Sequence, residues 1–317
     1  MKRKKVDKSF KIVTLIISIC VVISIVFFGT DITINDIIGV YPIEYILSNY
    51  DNETYDSLSK LPDDILEVHF VDVGQGDAII ITKDDEACII DAGPNSSEEK
   101  LCDYIKEIGI DSFKYVFATH SHEDHIGGMD KVISNFGAHK VIFPKTMSTT
   151  KTYERFIDSV IAKNLKLNVP KVGEKYILDE DVILEILAPN SDEYEEQNNY
   201  SIVLKLTYNN VSYLFTGDAE TLSENEMLEN NLDVKADVLK LGHHGSSTSS
   251  SAKFLDEVSP KYAVISLAKD NDYNHPHSSV INRLSIRNIK VYRTDICGTI
   301  ISKTDGNVLE FEFEKGE

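Results

Sequence analysis

Cysteine is scarce in this chain. Four are spread over 317 residues, at Cys20, Cys88, Cys102 and Cys297. No C-x-x-C or other cysteine–metal spacing occurs, which excludes a zinc ribbon. Cys20 sits in an apolar stretch. The other three are an odd number and cannot all pair with one another, so they read as small core residues rather than a disulfide framework. Basic charge is scarce as well: 32 Lys and Arg stand against 52 Asp and Glu, a net charge of −20. Residues 1–11 hold Lys2, Arg3, Lys4, Lys5, Lys8 and Lys11 against Asp7 alone, so the chain beyond them carries about −25. That excludes a broad electrostatic footprint for nucleic acid. It leaves room for a local groove or a metal-centred phosphate site. Short-period repeats and low-complexity tracts are absent too.

What is present is ordinary for a globular protein with a small membrane element: 42% hydrophobic and 26% charged residues. The length suffices for one large domain or two small ones. Ile12 to Phe28 is apolar apart from Thr14, Ser18 and Ser24. As a helix it spans roughly 25 Å, the short end for crossing a bilayer. No A-x-A-like site follows, and Ile19 before Cys20 makes a poor lipoprotein signal. The expected organisation is a basic cytoplasmic tail (1–11), a transmembrane signal anchor (12–30), a linker (31–63) and a domain (64–317). The positive-inside rule places the N-terminus in the cytoplasm and the domain outside the cell, on a single-pass membrane protein. If the segment is cleaved, the domain is secreted.

Within the domain, alternation and β-branched runs predict strands at 66–70, 79–82, 88–90, 113–118, 140–143, 176–187, 202–208, 211–215, 236–241, 262–266 and 290–293. A final strand pair falls within 297–313. Helical spacing predicts helices at 97–108, 128–136, 153–164, 222–230 and 279–286, with Ser96 or Ser97 capping the first. The chain runs twice through a β-rich then α-rich pattern. That predicts two packed sheets with helices outside, a four-layer αββα sandwich.

The organising stretch is T-H-S-H-E-D-H-I-G-G, Thr119 to Gly128. Three of nine histidines and a carboxylate, His120-x-His122-x-Asp124-His125, follow a predicted strand. Imidazole with carboxylate suits borderline divalent ions such as zinc, and also manganese or iron. The bland alternative is a solvated polar turn. Against it, further ligand types recur at predicted strand ends: Asp91 in D-A-G, Asp218 in F-T-G-D, His243 and His244 in H-H-G-S, and His275 and His277 in N-H-P-H. Core packing would scatter histidines. Only His69 and His139 read as structural.

This set resembles the metallo-β-lactamase-fold hydrolase superfamily. V-D-V-G-Q-G-D, K-L-G-H-H-G-S and N-H-P-H resemble its ComEC-type branch, the C-terminal hydrolase domain of DNA-internalisation competence proteins, together with stand-alone relatives. A choline-phosphate esterase of cell-wall teichoic acid is similar too. The resemblance covers residues 65–315. It implies two divalent metal ions, zinc first and manganese as the alternative. His120 and His122 would bind the first, Asp124 and His125 the second. Asp218 would bridge, and His275 would complete the second site, with His277 as the other choice. Asp91 would orient a ligand histidine, with Asp77 among the supporting residues. His244 or His243 would be a ligand or the general acid.

The chain departs from the superfamily in having no histidine between His139 and His243. Asn198-Asn199 occupies the matching place, so the first site is expected to be the weaker. Metal-activated water is the expected attacking group. Lys240 and the run Ser246-Ser247-Thr248 are candidates for phosphate contacts, the bland alternative for the run being a cap or turn. The implied activity is that of a phosphodiesterase or nuclease, with DNA as substrate. A cell-envelope polymer bearing a phosphodiester is the alternative, and a non-catalytic binding protein with a vestigial site is the alternative of another class. The missing histidine points away from a β-lactamase.

Overall fold

Short β-branched runs become the strands that carry the site. The computed structural model describes residues 64–316, within a compact unit spanning residues 57–317. The expected anchor and linker lie outside the described residues. Among the described residues no helix is long and apolar enough to cross a membrane.

In the first sheet, β1 (Leu66–Phe70), β2 (Ile79–Lys83) and β3 (Glu86–Ile90) form an antiparallel meander. β4 (Phe113–Phe117), β5 (Ala138–Ile142) and the short β6 (Leu167–Asn168) extend it in parallel. The C-terminal hairpin, β14 (Ile300–Thr304) and β15 (Leu309–Phe313), closes the other edge against β1. The second sheet repeats the plan. β7 (Lys175–Asp179), β8 (Val182–Ala188), β9 (Val203–Tyr208) and β10 (Val211–Phe215) are antiparallel. β11 (Val238–Lys240), β12 (Tyr262–Ile265) and β13 (Lys290–Arg293) continue in parallel.

Strand alternation decides which core each side chain enters. Ile79 and Ile81 of β2 join Leu66 and Phe70 in a core shared with Leu184, Leu204 and Tyr213 of the second sheet. Ile80, between them, faces the opposite way. It packs with Leu101 and Ile105 of α1 (Glu98–Glu107), Met129 and Val132 of α3 (Met129–Phe136), and Phe156 of α4 (Lys151–Ala162). Each such fully buried aliphatic or aromatic side chain contributes ~1.5–3 kcal/mol. On the second sheet α5 (Thr221–Glu229) contacts β8, and α7 (Ser278–Ile286) contacts β13. The αββα order expected from the sequence is the order observed.

Local departures have local causes. The stretch 176–187 is two strands, because Glu180 and Asp181 form a tight turn between β7 and β8. α6 (Ala252–Val258) was not expected. It starts where the Ser251 hydroxyl accepts the Phe254 N–H at 3.2 Å. Neither Ser96 nor Ser97 caps α1 with its side chain: Ser97 occupies the cap position, but its hydroxyl donates to the Pro94 carbonyl. Cys88 and Cys102 are buried thiols, pushed up in pKa by burial, as core packing requires.

Candidate metal centre

The site lies at the carboxyl ends of the parallel strands of both sheets, where loops leave the framework. From the first sheet come Asp91 after β3 and the histidine loop after β4. From the second come Asp218 after β10, His243 and His244 after β11, and the loop from Ser266 after β12.

The histidine loop is held by two neighbouring turns. Asp77 N–H donates to the Asp124 carbonyl at 3.1 Å, and Ala92 N–H to the His125 carbonyl at 2.7 Å. Glycine is required for this approach: a Cβ on Gly76 would lie 2.2 Å from the Asp124 oxygen. A one-turn helix, α2 (Glu123–Ile126), begins directly after His122. It places Asp124 on the cleft lining and His125 in the buried centre behind it, and the sequence pattern does not predict it.

Three histidines are anchored through Nδ1, which leaves Nε2 facing the centre. Asp91 accepts the Thr119 N–H and hydroxyl, each at 2.7 Å, and His125 Nδ1 at 2.7 Å. His120 Nδ1 lies 3.1 Å from the Thr119 hydroxyl oxygen. His244 Nδ1 donates to the Ser266 carbonyl at 2.9 Å. Such outer partners fix tautomer and ring orientation in metal sites.

Asp218 faces both halves. Its Oδ1 is 3.2 Å from His125 Nε2 and 3.6 Å from His244 Nε2. Its Oδ2 is 3.9 Å from His120 Nε2 and 3.7 Å from His243 Nε2. Asp124 Oδ2 approaches His244 Nε2 at 3.2 Å, and His120 Nε2 approaches His122 Nδ1 at 3.0 Å. Ligand-type atoms of Asp124, His125, Asp218 and His244 all lie within 4.8 Å of one another, as do those of His120, His122 and Asp218. Asp218 Oδ1, His125 Nε2 and His244 Nε2 are buried with no hydrogen-bond partner. Buried polar atoms without partners are costly. Their convergence on one point fits divalent cations.

The electrostatics agree. Burial pulls the His120 imidazole well below its ordinary pKa, helped by the charge of His125. Burial acts the same way on His125 and His244, but carboxylates outweigh it. Asp218, Asp91 and Asp124 hold His125 well above its ordinary value. Asp218 and Asp77 hold His244 up to about 10. Asp218 itself stays well below the usual carboxylate range, because the surrounding imidazoles overcome its burial. Without metal, protons on His125 and His244 supply the positive charge that the carboxylates require.

Some of the expected site residues join these groups and others stand apart from them. His244, not His275, stands with Asp124, His125 and Asp218. His275 lies outside both groups, stacked in the cleft wall with Nδ1 buried and unpartnered. His277 instead accepts the Ser247 N–H at 2.9 Å. Lys240 does not line the cleft: it is fully buried, donating to Asp77 at 2.7 Å. Ser246 is buried too, its hydroxyl turned to that of Thr248. Asn199 accepts the Glu220 N–H. Asn198 Nδ2 lies 3.4 Å from His243 Nδ1, and its own Oδ1 is buried and unpartnered. His69 and His139 stay out of the cleft. His69 bonds Tyr104 at 2.8 Å, and His139 is exposed on β5.

The residues that sequence reasoning missed are partners: Thr119, Glu220, Gln75 and the Ser266 carbonyl. Thr119 stood inside the motif, but its acceptor is 28 residues away in sequence. Gln75 was visible only as part of V-G-Q-G-D.

The cleft holds about 710 Å³ and is lined by Gln75, His122, Asp124, His243, Tyr273 and His275 among others, with no Lys or Arg among the described lining residues. The metallo-beta-lactamase superfamily profile matches residues 71–269. ComE operon protein 3 of Bacillus subtilis is 30% identical over 252 residues, covering 74% of this chain and 32% of that protein. Recombination protein 2 of Haemophilus influenzae is 29% identical over 239 residues, covering 74% of this chain and 28% of that protein. The chain thus spans about a third of the length of these curated relatives. The metallo-beta-lactamase fold protein YhfI of Bacillus subtilis superposes with a TM-score of 0.51 at 10% identity. That match covers 78% of this chain and all of YhfI, a likeness of fold. With the sandwich, the strand-end ligand clusters and the profile in agreement, the chain belongs to the metallo-beta-lactamase superfamily.

Proposed function

We propose that this metallo-beta-lactamase-fold hydrolase cleaves phosphodiesters, with DNA as the substrate that its competence-related relatives suggest. One observation carries the reading: the two oxygens of Asp218 face two separate ligand clusters, His120 and His122 on one side and Asp124, His125 and His244 on the other. Divalent cations held there supply Lewis acidity to phosphoryl oxygens and acidify water. The chain's own residues do the rest. Asp91, Thr119 and the Ser266 carbonyl keep the histidine nitrogens aimed. His244, now among the ligands, is not free to donate a proton. His243 stands outside the ligand groups and lines the cleft: its Nδ1 lies 3.2 Å from the Thr248 hydroxyl and 3.5 Å from Glu220, and its Nε2 lies 3.7 Å from Asp218 Oδ2. His243 is therefore assigned as general acid for the leaving oxygen.

A cell-envelope phosphodiester is a second reading, favoured by the absence of Lys and Arg among the described residues that line the cleft. The test is turnover by the full chain with zinc or manganese on bis-p-nitrophenyl phosphate, single-stranded DNA and p-nitrophenyl phosphorylcholine. Turnover on the first two is expected. No turnover on any substrate, with bound metal confirmed, sinks the phosphoesterase reading. Turnover of the choline ester but not of DNA selects the envelope substrate.

A further inference from the structure

We propose that Tyr273 and His275 form a stacking subsite beside the metal centre, which takes the base next to the scissile phosphate of a single-stranded nucleic acid. This rests on the phosphodiesterase reading and names what holds the strand.

Tyr273 is 61% exposed and lines the cleft. An exposed tyrosine is ordinary on a mobile loop, but this loop is braced. The Asn271 side chain binds four of its backbone groups. Its Oδ1 accepts Tyr273 N–H at 3.2 Å and His275 N–H at 2.9 Å. Its Nδ2 donates to the Ala268 carbonyl at 3.1 Å and the His275 carbonyl at 2.7 Å. Gln75 then ties the loop to the opposite sheet by accepting Ala268 N–H at 3.2 Å. The ring rests on His275, with centroids 5.6 Å apart and planes 23° from parallel. His275 in turn meets His243 edge-on at 5.6 Å. A continuous wall of rings thus leads from the rim to the site of proton donation.

Among the described residues that line the cleft there is no Lys or Arg to follow a phosphate backbone. A substrate must then be held by the centre itself and by uncharged contacts. Base–aromatic stacking supplies such a contact, and it is sequence-tolerant because every base has a π-face. A quaternary ammonium would call for an aromatic cage around it. One open ring face on a braced loop suits a planar partner instead. Duplex DNA keeps its bases stacked on one another, so the subsite selects unpaired strands.

The experiment compares the full chain with Tyr273→Ala and Tyr273→Phe on oligothymidylate and on the same strand with abasic sugars. KM and kcat are read with manganese, and Kd by fluorescence anisotropy on phosphorothioate strands. Tyr273→Ala should raise KM and Kd for oligothymidylate roughly 5- to 150-fold, the size of one stacked base. kcat should stay within about twofold, as expected when uniform binding is lost. Tyr273→Phe should restore binding, and the abasic strand should respond to neither substitution. Unchanged KM and Kd in Tyr273→Ala, or equal weakening on the abasic strand, overturns the subsite. If the parent chain cleaves neither strand, the DNA reading falls, and the anisotropy comparison still decides the subsite.

Discussion

Asp91 shows how much a single buried residue can decide here. It is fully buried with φ of 60°, a conformation uncommon outside glycine. It accepts three hydrogen bonds, from Thr119 N–H, the Thr119 hydroxyl and His125 Nδ1. A carboxylate can only accept, so Asp91 holds a proton on His125 Nδ1 and leaves Nε2 as the nitrogen that a metal would take beside Asp218. Asp91→Asn keeps the shape but can present an N–H to His125 Nδ1. That would drive the proton to Nε2 and close the ligand position. Metal affinity should fall about 10- to 100-fold, read by chelator competition, while the thermal transition of the metal-free chain remains measurable. Affinity within twofold of the parent's would show that Asp91 does not set the tautomer. His243 and His244 carry a related local strain: both are left-handed, with φ of 49° and 52°. Two adjacent non-glycine residues in that region cost on the order of 1–3 kcal/mol each. The turn aims the two rings at different tasks, one into the ligand cluster and one along the cleft wall.

Between elements, the two sheets are tied below the site by a buried ion pair. Lys240 ends β11 of the second sheet, and Asp77 precedes β2 of the first; Nζ and Oδ2 are 2.7 Å apart with neither side chain more than 1% exposed. Asp77 also lies 3.4 Å from His244 Nδ1. Lys240 and His244 together overcome burial and hold Asp77 down at about 2. Removing one partner strands a buried charge, at a cost of about 3–5 kcal/mol, whereas removing both charges is far milder. Lys240→Met should therefore destabilise strongly in urea unfolding, and Asp77→Asn with Lys240→Met should recover much of the loss. Additive effects in the double variant would show that the two do not act as a pair. This pair also marks where the sequence stopped being legible. β1, β10 and β13 were readable to their termini, because alternation and β-branching are local signals. The one-turn α2 and the seven-residue α6 were not, since so few residues carry little periodicity. Lys240 reads from sequence only as a candidate phosphate contact, because its partner Asp77 lies 163 residues away. The same distance problem left the roles of His243, His244 and His275 open: the sequence puts histidines at strand ends, but only the fold shows which ring reaches Asp218.

At the scale of the molecule, the centre couples metal, protons and stability. In the metal-free chain the surrounding carboxylates favour the protonated forms of His125 and His244. His244, raised from 6.5 to about 10, contributes stability that is fully present below pH 6.5 and lost as pH rises through about 10. Metal must displace those protons to bind. Loading at pH 7 should therefore release about two protons per chain, measurable by calorimetry in buffers of different ionisation enthalpy. Free metal at a hundred times Kd adds about 2.7 kcal/mol, or roughly 5–10 °C for a unit of this size. Because protons compete with metal, the gap in Tm between loaded and EDTA-treated protein should be small at pH 5.5 and widen toward pH 8.5. Alkaline pH acts on both sides of that gap, weakening the proton-stabilised metal-free form while strengthening metal binding. An equal gap at both pH values, with metal bound at each, would mean that the ligands are not the histidines that face Asp218.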